Sequence, residues 1–195
     1  MNKIIALFFS ILIITGIADA ESKKIAVIST QYGDIYIEFF SDKAPKHVKN
    51  FYKLALSGFY NGTTFHKVVP GFLIQGGDPS TREDNKRNDG SGIPGYNLDG
   101  EINGIPHDRG IVSMAKNDKP MSSGSQFFIV VKNSRFLDNK YTAFGRVVQG
   151  TDVVDTIVSQ PRDAKDNPLA RIEMKVKIIS RKKFNKIMKS FNQSN

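Results

Sequence analysis

FHKVVPGFLIQGGD, residues Phe65 to Asp78, decides how this chain is read. Phe65 and His66 open the stretch, and a cation, Lys67, follows. Pro70-Gly71 then supplies a turn, because proline presets φ at one corner and glycine accepts a positive φ at the next. Phe72 and Leu73 resume an apolar run, the amide Gln75 punctuates it, and Gly76-Gly77 closes it. The pattern predicts two short strands around a tight turn, with one cation and one amide set among apolar side chains.

Outward from this stretch the alternation continues. Residues 25–30 and 35–40 are β-branched and aromatic runs on either side of Gln31-Tyr-Gly-Asp34, which predicts an opening hairpin. Pro45 suits the first turn of a helix in which Val48, Phe51, Leu54 and Ala55 recur at helical spacing until Gly58. Residues 78–97 are polar and rich in Gly, Pro, Asn and Asp, hence loop. Further strands are predicted over 111–115, 125–131 and 141–148, and a second helix over 152–158 with Asp152 as its cap. In the last strand, 172–179, Ile172, Met174, Val176 and Ile178 alternate with polar neighbours. Many strands with one early and one late helix predict a mainly β fold: a closed antiparallel barrel with a helix over each end.

The 195 residues suffice for one domain with a sizeable core. Met1-Asn2-Lys3 is a positive start, residues 4–17 are almost wholly apolar, and Ala18-Asp19-Ala20 is a small-x-small site. This is the layout of a secretory signal peptide cut after Ala20, and the apolar run falls short of the ~18–20 residues that span a bilayer. A periplasmic or secreted protein is expected, with segments 1–20 (signal), 21–180 (domain) and 181–195 (tail). With no cysteine the domain has no disulfide and no site for a lipid, and must rely on its core. The net charge of +9 favours acidic partners or an anionic surface. The bases are scattered except at the C-terminus, so no nucleic-acid partner is expected, and a monomer is the default. In the tail, Phe184, Ile187, Met188 and Phe191 fall at helical spacing among Lys182, Lys183, Lys186 and Lys189. Such a basic amphipathic helix suits docking on the barrel or fraying, or weak contact with an anionic envelope or membrane surface.

Common catalytic templates do not fit. Without cysteine, nucleophilic catalysis needs a Ser or Thr beside a base, and His47, His66 and His107 sit in no recognisable triad motif. No His/Asp/Glu cluster has metal-ligand spacing, so no metal is expected. Gly90-Ser-Gly92-Ile-Pro-Gly95 matches G-x-G-x-x-G, yet a polar loop precedes it and Pro94 obstructs a helix start, which removes the dinucleotide reading. What remains is a cation, amides and apolar surface. Rotation about an X-Pro bond could use these alone: the resonance barrier is ~18–20 kcal/mol, and a fixed donor can stabilise the twisted amide more than either planar form. Neither cofactor nor covalent intermediate is needed.

GSGIPGYNLDGE (Gly90 to Glu101), HDRGIVSMA (His107 to Ala115), GSQFFIV (Gly124 to Val130) and FLDNKYTAFGRVVQGTDVVD (Phe136 to Asp155) follow the opening motif in order. Together, over residues 25–180, they resemble the cyclophilin-type prolyl isomerases, the exported bacterial members in particular. The resemblance implies an eight-stranded closed barrel capped by two helices, and activity on proline-containing polypeptides, here exported proteins during folding. It places Lys67 and Gln75 at the catalytic positions, Gln75 orienting the cation. It lines the proline pocket with Phe72, Leu73, Phe128 and Leu137, and sets Gln126 beside Gln75. Ala115, Lys116 and Asn117 would pair with substrate backbone as an added strand. Tyr141 stands where many eukaryotic members carry histidine. Phe136 replaces the tryptophan of cyclosporin-sensitive members, so tight cyclosporin binding is not expected without the indole N–H.

Lys67 is the departure that matters, since the family carries arginine there. Arginine presents a planar fork, whereas lysine presents a mobile ammonium with a larger ordering cost. Present but reduced turnover is expected. The competing readings are a proline-peptide binding module or chaperone with little turnover, and an envelope-associated scaffold acting through its tail.

Overall fold

The opening hairpin forms where two β-branched runs meet across a turn at Gly33, whose φ of 127° suits glycine. β1 (Lys24–Thr30) pairs antiparallel with β2 (Gly33–Phe39). The computed structural model describes residues 23–83, 90–116 and 122–193; the expected signal segment and Asn117 lie outside them. After β2 come α1 (Pro45–Leu56), β3 (Phe65–Val69), β4 (Leu73–Gly76) and a 3-10 turn at Pro79–Arg82. β5 (Ile111–Lys116), β6 (Ser122–Val130), a second 3-10 turn at Arg135–Leu137 and β7 (Ala143–Gln149) follow. The chain ends in α2 (Thr151–Val158), β8 (Lys175–Ser180) and α3 (Arg181–Gln193).

All eight strands belong to one antiparallel sheet in the order β3-β4-β6-β5-β7-β2-β1-β8. The expected closed barrel is instead an open, curled sheet. Its edges, β3 and β8, meet through the single bridge Thr64↔Glu173, supported by Phe65 N–H donating to Ile172 O (2.9 Å) and Met174 N–H to Thr63 O (2.8 Å). The expected final strand accordingly divides: Lys175 onward pairs with β1, while residues 172–174 lean across to the other edge. Among the described residues there are three helices, the two expected with the barrel and the amphipathic tail.

Strand alternation sorts the apolar side chains onto three faces. The inner face gathers Ala26, Ile28, Ile35, Ile37, Ile74, Phe127, Ile129 and Phe144 into the main core, closed by Val48, Phe51 and Leu54 of α1 and Val153, Val154 and Ile157 of α2. On the outer face of β4, β5 and β6, Leu73, Ala115, Phe128 and Val130 form a second cluster with Leu137 and Ala143. On the outer face of β1, β2 and β8, Ile25, Val27, Tyr36 and Ile179 form a third, covered by Phe184 of α3. The Phe184 ring lies 5.4 Å from that of Tyr36. Ser180 caps α3, its hydroxyl accepting from Lys183 N–H at 3.2 Å.

Helix α1 has no side-chain cap of its own at Ala44. Glu101, from a distant loop, accepts from Lys46 N–H (3.1 Å) and His47 N–H (2.9 Å), satisfying two orphan donors of the first turn. The same carboxylate approaches His47 Nδ1 at 2.7 Å, and His47, one turn before the core residue Phe51, is fully buried. Burial lowers its pKa and Glu101 opposes this. α2 begins at Gly150 in the left-handed region rather than on an Asp152 cap.

The ladder between β3 and β4 slips at His66: Phe65 pairs with Gly76, but Lys67 pairs with Gln75. One extra residue on β3 is a β-bulge, and it reverses the side-chain parity beyond it. Phe65 and Val68 enter the core, while Lys67 and Val69 lie on the cavity side. Gly76 permits the close approach, since a Cβ there would sit 2.8 Å from Thr64 O. The bulged His66 is 4% exposed, and neither ring nitrogen has a hydrogen-bond partner among the described residues. Burial lowers its pKa to about 4, Asp78 opposing and Lys67 assisting, so the native ring is neutral.

Two outcomes follow from this packing. Unfolded chain protonates His66 near pH 6.5 and native protein only near 4, so the unfolded state binds more protons in that window. About 3 kcal/mol of stability present at neutral pH is lost as pH falls from about 6.5 to 4. Urea midpoints at pH 7 and 4.5 should show a smaller drop for His66→Leu than for wild type; equal drops would overturn the assignment, and His47, acting in the same direction, is common to both. Phe184→Ala should weaken the docking of α3 by about 2–4 kcal/mol, read as faster amide exchange across the helix with the sheet still protected. Unchanged exchange in α3 would show that Phe184 does not anchor it.

Candidate active site

Parity on four neighbouring strands builds one cavity on the outer face of the sheet. Lys67 and Val69 from β3, Leu73 and Gln75 from β4, Phe128 from β6, and Ala115 and Lys116 from β5 line a space of about 340 Å3. Phe72, Leu137, Tyr141 and Asp166 complete it. Phe128 is the floor, 3% exposed, with the Tyr141 ring edge-on to it at 5.4 Å. The Lys116 ammonium sits 5.2 Å from the centre of the Tyr141 ring, a cation–π contact on the rim.

Lys67 and Gln75 are cross-strand partners in the β3–β4 ladder, so their side chains rise together from one side of the cavity. No hydrogen bond joins the two side chains among the described residues. Gln75 Nε2 donates to Gln126 Oε1 at 3.0 Å, so the amide expected to orient the cation is itself held by Gln126. Gln126 does not line the cavity; it is buried behind it, and its Nε2 donates to Gly90 O (3.0 Å) and Gly92 O (2.9 Å). Asp78, fully buried, anchors this layer. Its carboxylate accepts from Ser80 N–H (2.8 Å), Ser80 Oγ–H (2.6 Å), Gly90 N–H (2.5 Å) and Gly92 N–H (3.1 Å). The glycine loop thus cradles an internal carboxylate. A Cβ at Gly92 would lie 2.0 Å from Asp78 Oδ1, which makes glycine obligatory there.

Phe136 is 63% exposed and stands at the mouth, its ring 5.4 Å from that of Phe72. Ala115 and Lys116 offer a free edge. Pairing of β5 with β7 ends at Ser113, and Met114 N–H makes the last bond, to Thr142 O at 3.0 Å. Beyond it the β7 side of β5 is unpaired among the described residues, open to an extended peptide.

Two lining residues were not singled out in the sequence. Val69 follows from Lys67 by strand parity. Asp166 carries no local signal: it comes from the loop before β8, with φ of 66°, and its carbonyl accepts from Val68 N–H at 2.8 Å. Its carboxylate pairs with Arg162 Nε at 3.0 Å. The fold also assembles a Ser-His-Asp array that no sequence motif announces. His107 Nδ1 lies 3.0 Å from Asp138 Oδ1, and Nε2 lies 3.0 Å from Ser113 Oγ. The His107 backbone N–H, with the ring assisting against slight desolvation, holds the Asp138 carboxyl below its usual range. Ser113 is fully buried and His107 stacks near Phe128 at 6.2 Å, so the array braces the pocket floor and offers no exposed nucleophile.

The family described as cyclophilin type peptidyl-prolyl cis-trans isomerase matches residues 25–178. A peptidyl-prolyl cis-trans isomerase of Acinetobacter baylyi is 37% identical over 185 residues, 92% of this chain and 95% of its own. Peptidyl-prolyl cis-trans isomerase-like 1 of Rhizopus delemar is 43% identical over 142 residues, 72% of this chain and 83% of its own. The similar region is 28% of the length of isomerase-like 2 from that organism, at 42% identity. Most such relatives are eukaryotic. The crystal structure of a Cryptosporidium parvum cyclophilin type isomerase superposes with a TM-score of 0.73 at 38% identity, covering 80% of this chain and 98% of that one. A structure of the same protein in the presence of the dipeptide Ala-Pro gives 0.71. Sequence span and fold agree, and the chain belongs to the cyclophilin-type peptidyl-prolyl cis-trans isomerases.

Proposed function

We propose that this chain isomerises X-Pro bonds of exported polypeptides in the periplasm or outside the cell, with Lys67 as the catalytic cation. The observation that carries the reading is the cross-strand pair Lys67–Gln75 at the side of an apolar cavity whose far rim is the unpaired edge of β5. Substrate backbone pairs along Ala115 and Lys116, and the proline ring enters between Phe72, Leu73, Phe128 and Leu137. Holding the ring while the preceding carbonyl swings breaks amide resonance and localises a lone pair on the prolyl nitrogen. A donor on the Lys67–Gln75 side meets that charge only in the twisted state, which is the condition for raising the rate rather than merely binding. Export is supported by the N-terminal apolar run, which follows a positive start and precedes a small-x-small site.

A proline-limited refolding assay tests the reading. Lys67→Ala should lower kcat/KM by about 100-fold, and Lys67→Arg should raise it above wild type, because the fork loses less order per hydrogen bond formed. Wild-type activity in Lys67→Ala would remove Lys67 from catalysis. A wild-type protein that binds proline peptide yet leaves the uncatalysed rate unchanged would make the domain a binding module. Phe136→Trp should tighten cyclosporin binding by about tenfold, the worth of one added hydrogen bond; no change in a titration would remove Phe136 from that surface.

A further inference from the structure

The cavity carries a second cation that rotation of the prolyl amide does not use. Lys67 rises from β3 and Lys116 from β5, at the two ends of the strand run β3-β4-β6-β5. Three strand spacings separate them, about 14 Å along the sheet. An amide seated on Phe128 beside Lys67 therefore leaves the Lys116 ammonium to a neighbouring part of the substrate. That ammonium has a fixed seat. Its Nζ lies 5.2 Å from the centre of the Tyr141 ring, and this ring stands edge-on to Phe128 at 5.4 Å. The charge is thus built onto the pocket floor. A ring face engages one side of an ammonium and leaves N–H donors for an acceptor.

Among the described residues Asp166 is the only acid lining the cavity. It stands on the β3 side through its backbone bond to Val68, and its carboxylate is paired with Arg162. Neither Lys67 nor Lys116 is ion-paired among the described residues, so the cavity holds two uncompensated positive charges. We propose that Lys116 selects substrates with an acidic side chain two residues from the proline, an inference that rests on the cavity being a proline-peptide site. The spacing follows from strand geometry. A peptide added along the open side of β5 alternates faces with a period of two, so the side chain two residues from the proline shares the proline's face. Cross-strand neighbours on one face come within about 4.5–5.5 Å at Cβ, where opposite charges attract and like charges repel. Glutamate there meets Lys116, and lysine is turned away.

End-capped peptides X-Ala-Pro-Ala-Z test this, with Glu, Gln or Lys at X and Gln at Z, or the reverse. Exchange NMR gives kcat/KM for each, and titration gives Kd. At one of the two positions wild type should favour Glu over Gln by about three- to fivefold, and Gln over Lys by a similar factor. About 0.5 M salt should bring both ratios close to one. Lys116→Met should collapse the ratios and Lys116→Glu should invert them. Each is a ratio within one protein, so a general loss from altering β5 cancels. Tyr141→Leu, which removes the seat of the ammonium, should lower the ratios, and Tyr141→Phe, which keeps the ring face, should preserve them. Equal values for Glu, Gln and Lys at both positions would overturn the proposal. A preference that survives Lys116→Met would reassign it to Lys67 and overturn it as well. Failure to turn over any peptide would sink the catalytic reading alone, because the Kd ratios still decide the role of Lys116. Failure to bind any peptide would sink both.

Discussion

The β-bulge at His66 is the constraint on which the site depends. A strand alternates faces with a period of two, so an unbroken β3 that sends Phe65 into the core would send Lys67 there as well. The extra residue places Phe65 inward and Lys67 outward, opposite Gln75. The cost falls on His66, whose ring is buried without a hydrogen-bond partner among the described residues and is kept neutral by burial. An imidazole tolerates this better than a lysine or carboxylate would, because its neutral form is available at ordinary pH. The cation on the surface and the uncharged ring beneath it are thus two consequences of one inserted residue.

Behind the cavity, order passes through amides rather than ion pairs. Asp78 holds the Gly90–Gly92 loop, the carbonyls of that loop hold Gln126, and Gln126 holds Gln75. Each link orients the next without bringing another net charge to the reacting amide. A charge at the Gln126 position would compete with the role proposed for Lys67, whereas an amide transmits position alone. On the other side His107 performs the corresponding task, spanning Asp138 and Ser113 beneath Phe128 and Tyr141.

What could be read from the sequence divides along the same physical line. Alternation and turn chemistry are local, and they suffice for the opening hairpin, for the strands on either side of Pro70-Gly71, and for an amphipathic tail whose aromatic face packs on the barrel. The ordered motifs point to Lys67, Gln75, Phe128 and Tyr141 because similarity carries three-dimensional information that periodicity lacks. Features set by distant chain were not legible. His47 has no local signal for a partner, yet Glu101, 54 residues away, meets its buried ring. Asp166 reaches the cavity through a backbone bond to β3, and Thr64 bridges Glu173 where a complete ladder was expected. The bulge has no signature either, since FHKVV alternates as well in one register as in the next.

Asp166 bears directly on the use of lysine. A carboxylate lining the same cavity as a mobile ammonium would ordinarily capture it, and an ammonium locked in an ion pair has less to give a developing lone pair. Here Arg162 takes the Asp166 carboxylate, and the backbone bond from Val68 fixes where Asp166 stands. Lys67 is left without an ion pair among the described residues, facing an amide partner already engaged by Gln126. Its charge is available, and what it lacks is a fixed direction. On the proposed reading, substrate supplies that direction by arriving along β5 with its proline seated on Phe128. Catalysis through Lys67, as proposed, would therefore lean on peptide positioning to a degree that a guanidinium fork would not require.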